Sequence, residues 1–154
     1  MSNSSNPNEA FIIFELADTL YGISSQSVQQ MEMVDRITPV PNAPHFVEGV
    51  VFSRGQVIPV INLRARFGFE KIPYNLRTRL IVTQSQNRTI GLIVDTAREF
   101  IVIPENAIQP PNEEISGLSG RYLAGIATLE KRIILILKVE EVFQMPDSSL
   151  SVLS

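Results

Sequence analysis

Few residues in this chain have the type and spacing that catalysis requires. The single histidine, His45, lies between Pro44 and Phe46. A Ser-His-Asp triad would need it as the base, but no nucleophile-elbow motif accompanies it. His45 is therefore expected as a surface or capping residue. Paired carboxylates occur only as Glu113-Glu114 and Glu140-Glu141. Adjacent side chains on a strand or helix do not face each other, so neither pair suits acid–base work. The absence of cysteine removes disulfides, thiolate nucleophiles, iron–sulfur clusters and zinc–thiolate sites. One histidine is too few for a multi-histidine metal site. Neither a phosphate-cradling glycine loop nor a calcium loop is written in the sequence. The expectation is a protein that is not an enzyme, with no catalytic residues, no cofactors and no metal.

The residue pair that stands out is Arg54-Gly55, inside GVVFSRGQVIPVINLR. A two-residue hairpin turn favours Asn-Gly or Asp-Gly, because its central positions need positive φ. An arginine there is not chosen for turn chemistry, and a rigid hairpin would hold it out for bidentate recognition. On this residue alone, an ordinary exposed turn arginine is the stronger reading. Other basic residues cluster mildly, as Arg64 with Arg66, Arg77 with Arg79, and Lys131 with Arg132. These raise an alternative, a small nucleic-acid-binding β-barrel. Thirteen Lys and Arg against sixteen Asp and Glu give a net charge of −3, which argues for no nucleic acid. The phenylalanines, which sit mostly inside apolar runs, read as core.

The elements that must position these residues read as β-structure. Of 154 residues, 44% are apolar, and Ile and Val together number 32 against 8 Ala. β-branched side chains suit a pleated sheet and lose rotamer freedom in a helix. Strands are expected at 11–17 and 20–24 around an Asp18-Thr19 turn, and at 49–53 and 56–63 around Arg54-Gly55. Residues 27–34 read as extended or as a short helical turn leading into a strand. Three prolines between Ile37 and Pro44 make a stiff connector. A helical turn near 63–69 should stop at Gly68. Further hairpins are expected around Asn87-Arg88 and Lys131-Arg132, with a strand at 97–103, a long loop at 105–120 and a short helix at 138–143. No apolar run approaches a membrane span. The first ten residues lack a secretory signal pattern, so the expected localisation is cytoplasmic, with no direct membrane insertion.

The two halves repeat one grammar. A shift of 69 residues carries Phe11-Ile12-Ile13 onto Leu80-Ile81-Val82, Gly22 onto Gly91 and Val28 onto Ala97. A shift of 76 carries Gly49-Val50-Val51 onto Gly125-Ile126-Ala127, Val57-Ile58 onto Ile133-Ile134 and Phe67 onto Phe143. Such self-similarity signals two copies of one supersecondary unit. One copy alone is marginal as a domain, so the fold class is all-β with short helices. The expected architecture is two small barrels packed together with a third apolar seam between them. The expected division is a disordered lead at 1–9, one domain at 10–145 with approximate subdomains 10–70 and 78–143, and a flexible tail at 146–154.

The stretch ITPVPNAPHFVEGVVFSRGQVIPVINLRARFG, from Ile37 to Gly68, closely resembles the signature region of CheW-like chemotaxis coupling proteins. Ile90–Asp95 resembles that family's second-half hairpin, and YLAGIATLEKRIILILKVEEVF its closing hairpin and terminal helix. The resemblance runs from about Phe11 to Phe143. It implies two SH3-like five-stranded β-barrel subdomains, in agreement with the internal repeat. It further implies an adaptor in chemosensory signal transduction. The implied partners are the regulatory domain of a CheA-type histidine kinase and the cytoplasmic tip of a chemoreceptor, in membrane-bound receptor arrays.

Carried over position by position, the resemblance implies receptor-binding roles for Arg54, Gly55, Gln56 and Val57, and for Val28 and Gln30 on a neighbouring strand. Many relatives have Glu where Gln30 stands, able to pair with the arginine; here that ion pair cannot form, and the charge-assisted contribution is gone. Relatives also favour Asn-Leu before Arg-Gly, where this chain has Phe52-Ser53. Such departures bear on receptor preference more than on fold. They would fit an adaptor of a specialised cluster, such as one for pilus motility or phototaxis.

Overall fold

The structure, a computed structural model, describes residues 8–111 and 119–144. Eleven strands and two short helices are assigned among them. The first half holds β1 (Asn8–Leu16), β2 (Thr19–Ser24), β3 (Val28–Met33), β4 (Val47–Ser53), β5 (Gln56–Asn62) and α1 (Leu63–Arg66). The second half holds β6 (Arg79–Ser85), β7 (Arg88–Val94), β8 (Thr96–Pro104), β9 (Ile108–Gln109), β10 (Leu123–Leu129), β11 (Arg132–Leu137) and α2 (Val139–Val142). The first strand starts at Asn8, inside the stretch expected as a lead. Residues 1–7 and 146–154, and with them the expected disorder and tail, lie outside the described residues.

Two sheets result, ordered β8-β1-β2-β11-β10-β9 and β3-β6-β7-β5-β4. The internal repeat is borne out strand for strand, β1 to β5 recurring as β6, β7, β8, β10 and β11. Its parallel pairings are equivalent as well. Gly22 of β2 pairs with Ile136 of β11, and Gly91 of β7 pairs with Val60 of β5. Even the small strand has a counterpart: Gln109 of β9 pairs with Ile126, and Thr38 in the proline connector bridges to Val50.

The sheets do not divide where the sequence repeats. The hairpin β1-β2 joins strands of the second half, and β6-β7 joins strands of the first. The ranges 10–70 and 78–143 therefore follow the repeat, while each sheet exchanges a hairpin with its neighbour. Local alternation reveals strands but not which distant strand they pair with, so this exchange was not legible from periodicity.

Among the described residues, all four two-residue hairpins have both central residues at positive φ: Ala17-Asp18, Arg54-Gly55, Gln86-Asn87 and Glu130-Lys131. Three of these sit one residue earlier than the sequence suggested, with Thr19, Arg88 and Arg132 inside strands. Register explains the shift, since moving a strand by one residue would turn its core face to solvent.

The core has three parts. Phe11, Ile13, Ile103, Ala127, Ile134 and Ile136 fill the interior of the six-stranded unit. Ile58, Val60, Leu80, Val82 and Ile93 fill the five-stranded one. The largest cluster lies between them, with Phe14, Leu16, Ile23, Ile61, Ile81, Leu92, Val142 and Phe143 among its members. Alternation along the strands builds this arrangement: Ile13 faces inward while Phe14 faces the seam. The expected third seam is thus the main core.

Candidate functional site

The residues implied by the resemblance come together on the five-stranded unit. Arg54 and Gly55 form the tip of the β4-β5 hairpin, with φ of 50° and 80°. A non-glycine residue in this region is held there by its surroundings. Arg54, Gly55, Gln56 and Val57 are all exposed. Among the described residues, Arg54 makes no ion pair. Val28 and Gln30 lie on β3, the strand at the opposite edge of the same sheet. Gln30 Nε2 donates to Ser53 Oγ at 3.0 Å and to Glu32 Oε2 at 2.5 Å. The first bond joins β3 to β4, closing the barrel and bringing the hairpin tip alongside β3.

The hairpin is also anchored at its base. A register shift falls between Val47 and Gly49 of β4. Gly49 has φ of 142°, and a Cβ there would lie 2.1 Å from the Thr38 carbonyl oxygen. Only glycine lets the proline connector lie against β4, where Thr38 and Val50 exchange backbone bonds of 2.8 and 2.9 Å. Gly125 occupies the equivalent shift in β10.

A second set of residues was missed by sequence reasoning. Met31 and Met33 of β3 are about half exposed, as are Phe100 and Val102 of β8. Directly opposed residues of an antiparallel pair share a face. Met31 opposes Ile81, and Phe100 opposes Ile12. Ile81 belongs to the seam and Ile12 packs against it. Hence Met31 and Phe100 lie on the seam-facing sides of their sheets, each on an edge strand. The two positions are also equivalents under the 69-residue shift. Together they form apolar borders where the seam opens to solvent. Phe52 and Val57, opposed across the hairpin, add further exposed apolar surface beside Arg54. The available signal was an apolar residue at every second position of a strand whose other face is already committed.

Electrostatics elsewhere hold the scaffold. Glu48 of β4 accepts from Asn62 Nδ2 at 2.9 Å and from the Tyr74 hydroxyl at 2.5 Å, with Lys71 Nζ at 3.6 Å. Burial pushes the Glu48 carboxyl up, but these hydrogen bonds and the Lys71 charge outweigh it, and its pKa is lowered. Tyr74 is pushed up, by burial first and by Glu48 second. The cluster fastens the connector between the halves onto β4 and β5.

Among the described residues the remaining candidates assemble no reaction centre. His45 is exposed. Glu141 lies 3.5 Å from Arg121, while Glu140 is exposed. Glu113 and Glu114 lie outside the described residues. Among the described residues no group of three acidic, histidine or cysteine side chains could hold a metal, and no helix is long and apolar enough to cross a membrane.

Two exchanged β-units around a shared seam, with a presented hairpin and exposed apolar edges, define a scaffold built for protein contacts. The comparisons with known proteins agree. The model of the CheW-like domain matches residues 10–147, and the chain belongs to that family. It is 30% identical over 142 residues to the chemotaxis protein CheW of Klebsiella aerogenes, covering 92% of this chain and 86% of the relative. It is 32% identical to the chemotaxis protein CheW of Helicobacter pylori, covering 87% and 81%. Protein FrzA of Myxococcus xanthus is 30% identical over 111 residues, covering 72% and 69%. The crystal structure of the scaffolding protein TtCheW from Thermoanaerobacter tengcongensis matches with a TM-score of 0.83 and 34% identity, covering 89% and 93%. The protein is accordingly a non-enzymatic chemotaxis adaptor with two β-subdomains.

Proposed function

We propose that this adaptor couples the cytoplasmic tips of chemoreceptors to the regulatory domain of a CheA-type histidine kinase in receptor arrays. The receptor-facing surface is the Arg54 hairpin with Gly55, Gln56 and Val57, together with Val28 and Gln30 on β3. The observation that carries this reading is the apolar border along β3 and β8. An amphipathic helix needs an apolar groove for its buried stripe, and Met31, Met33, Phe100 and Val102 offer one where the seam opens. Methionine is an adaptable lining for such a surface. Arg54 then stands at the groove's hairpin side as a cation with no ion pair among the described residues. Contacts of this kind are individually weak and gain strength when many adaptors and kinases are linked in one array. The departures at Gln30 and Phe52-Ser53 fit service in a specialised cluster, such as one for pilus motility or phototaxis.

The test is capture of a receptor cytoplasmic fragment and of the kinase regulatory domain by the purified protein. Arg54→Glu should weaken receptor capture while the thermal midpoint stays unchanged. Equal capture by wild type and Arg54→Glu would refute the assignment of this surface. Failure to capture either partner would refute the coupling role itself.

A further inference from the structure

A cleft of about 260 Å³ opens onto the seam, with Tyr21, Phe67, Leu123 and Leu135 on its walls and Arg66 and Arg121 beside them. It lies past the end of β5 opposite to the Arg54 hairpin, and none of the residues assigned to the receptor-facing surface lines it. The ring of Phe67 lies 5.9 Å from Tyr21 and 5.0 Å from Tyr122. The internal repeat shows that this space is unusual. The 76-residue shift carries Arg66-Phe67 onto Val142-Phe143. Both counterparts are buried, at 0% and 2% exposed, whereas Arg66 and Phe67 are partly exposed. A core valine of one copy is an arginine in the other, and the space filled in the second copy is left open in the first.

Two groups on the wall are donors in want of an acceptor. The Arg66 guanidinium is held between two rings, 4.7 Å from the centre of Phe46 and 5.2 Å from that of Tyr122. Its Nη2 donates to the Gln144 carbonyl at 2.5 Å. Among the described residues its Nε has no hydrogen-bond partner and the group has no ion pair. Burial lowers its pKa, the mark of a cation short of counter-charge. Tyr21 is 6% exposed, its hydroxyl bonds to no described residue, and burial alone raises its pKa. Arg121 differs, since Glu141 lies 3.5 Å away and answers its charge. Two unsatisfied donors, one of them a planar cation, select a carboxylate, whose geometry a guanidinium matches. The apolar walls select the rest of the ligand. A cavity of about 150 Å³ lined by apolar side chains already holds benzene, so this cleft admits a larger aromatic body with an acidic group.

We propose that this cleft is a binding site for a small aromatic carboxylate, with the carboxylate against Arg66 and the Tyr21 hydroxyl and the ring among Phe67, Leu123 and Leu135. The ligand supplies the counter-charge that Arg66 lacks and fills the space that Val142 and Phe143 fill in the other copy.

The probe is 2-naphthoate, with the uncharged 2-naphthamide as its control. Titrating the full-length protein with 2-naphthoate should shift the amide resonances of Gly68, Leu123 and Leu135 saturably. The amide should bind about tenfold more weakly, the loss of one charge-assisted pair. Arg66→Val, which copies Val142, should bind the two probes alike. Tyr21→Phe should weaken the acid several-fold and keep its preference over the amide. Equal affinity of the unaltered protein for acid and amide would overturn the proposal, whether or not either variant folds. A preference for the acid that survives in Arg66→Val would overturn it too, as would shifts confined to Met31 and Phe100 on the other borders of the seam. Failure of 2-naphthoate to saturate the cleft resonances at millimolar concentration would equally overturn it.

Discussion

Arg64 and Asp95 meet edge to edge: Nε lies 2.8 Å from Oδ1, and Nη2 lies 2.8 Å from Oδ2. Asp95 Oδ2 also accepts from the Ala17 amide at 2.9 Å, and the Asp95 amide donates to the Glu15 carbonyl at 3.1 Å. One carboxylate thus ties α1, the β7-β8 link and the β1-β2 turn together. The β1-β2 turn belongs to the six-stranded sheet and α1 follows β5 of the five-stranded one, so the pair fastens the two units to each other. The hydrogen bonds that Arg64 donates to Asp95 raise its pKa and keep it protonated, against the opposing effect of burial.

Removing this acceptor should loosen the two units. Both side chains are mostly buried, 17% and 18% exposed. Hydrogen bonds between charged groups are worth about 1.5–3 kcal/mol each, and a stranded buried charge costs further. Asp95→Ala is expected to cost about 3 kcal/mol, lowering the thermal midpoint by about 6–12 °C at this size. Calorimetry reads the change. A midpoint within a degree of wild type would show that the pair is dispensable.

The Glu48 cluster predicts a pH dependence of known sign. The folded pKa is lowered from the ordinary 4.5. A depressed carboxyl contributes stability that is present above the unfolded pKa and lost as pH falls through the folded one. Glu48→Gln should therefore be less stable than wild type at pH 7, by about 1 kcal/mol. The gap should close as the pH is lowered past the acidic range. Urea unfolding of both proteins at several pH values measures it, and a gap independent of pH would contradict the assignment.

Much of this was written locally in the sequence, and the remainder was not. Paired glycines Gly22 and Gly91 announced the repeat, and neighbouring side chains crowd both positions: a Cβ on Gly91 would meet the Leu80 side chain of antiparallel β6 at 2.7 Å, and one on Gly22 the Ile136 side chain of β11 at 3.0 Å. The exchange of hairpins left no local trace, since β1 alternates alike whichever sheet it joins. At the site, Arg54 was visible as an odd turn residue. Met31 and Phe100 were not, because an apolar residue in a strand reads as core until the opposite face is known to be filled.

Gly49 and Gly125 should respond unequally to the same substitution. At Gly49 both the backbone conformation and the Thr38 carbonyl oppose a side chain, whereas at Gly125 the nearest atom is a side-chain methyl, Ile108 Cγ2 at 2.6 Å, with the Gln109 carbonyl oxygen at 3.0 Å. Gly49→Ala is expected to cost about 4 kcal/mol or more, among the largest single effects, and to detach the proline connector. Gly125→Ala should cost about 1–3 kcal/mol. Equilibrium unfolding ranks them. The reverse order would mean that the connector does not lie against β4 in solution.

Gln30 is an amide because two acceptors surround it. Its Nε2 donates to both Glu32 and Ser53. A glutamate at position 30 would replace that donor with a second carboxylate facing Glu32, two residues along the same strand face. Like charges about 4 Å apart repel by about 1 kcal/mol in water and by more near a protein surface. Gln30→Glu should accordingly destabilise the chain by about 1 kcal/mol. Gln30→Glu combined with Glu32→Gln should restore most of that loss, because the donor–acceptor pair is re-formed in the opposite sense. The double-mutant cycle isolates the coupling, and additive effects would show that Gln30 and Glu32 do not pair. The combined variant also places a carboxylate beside the Arg54 hairpin without a loss of fold. If Arg54 meets the receptor as a free cation, this variant should capture receptor fragment less well than wild type, while capture of the kinase domain stays the same.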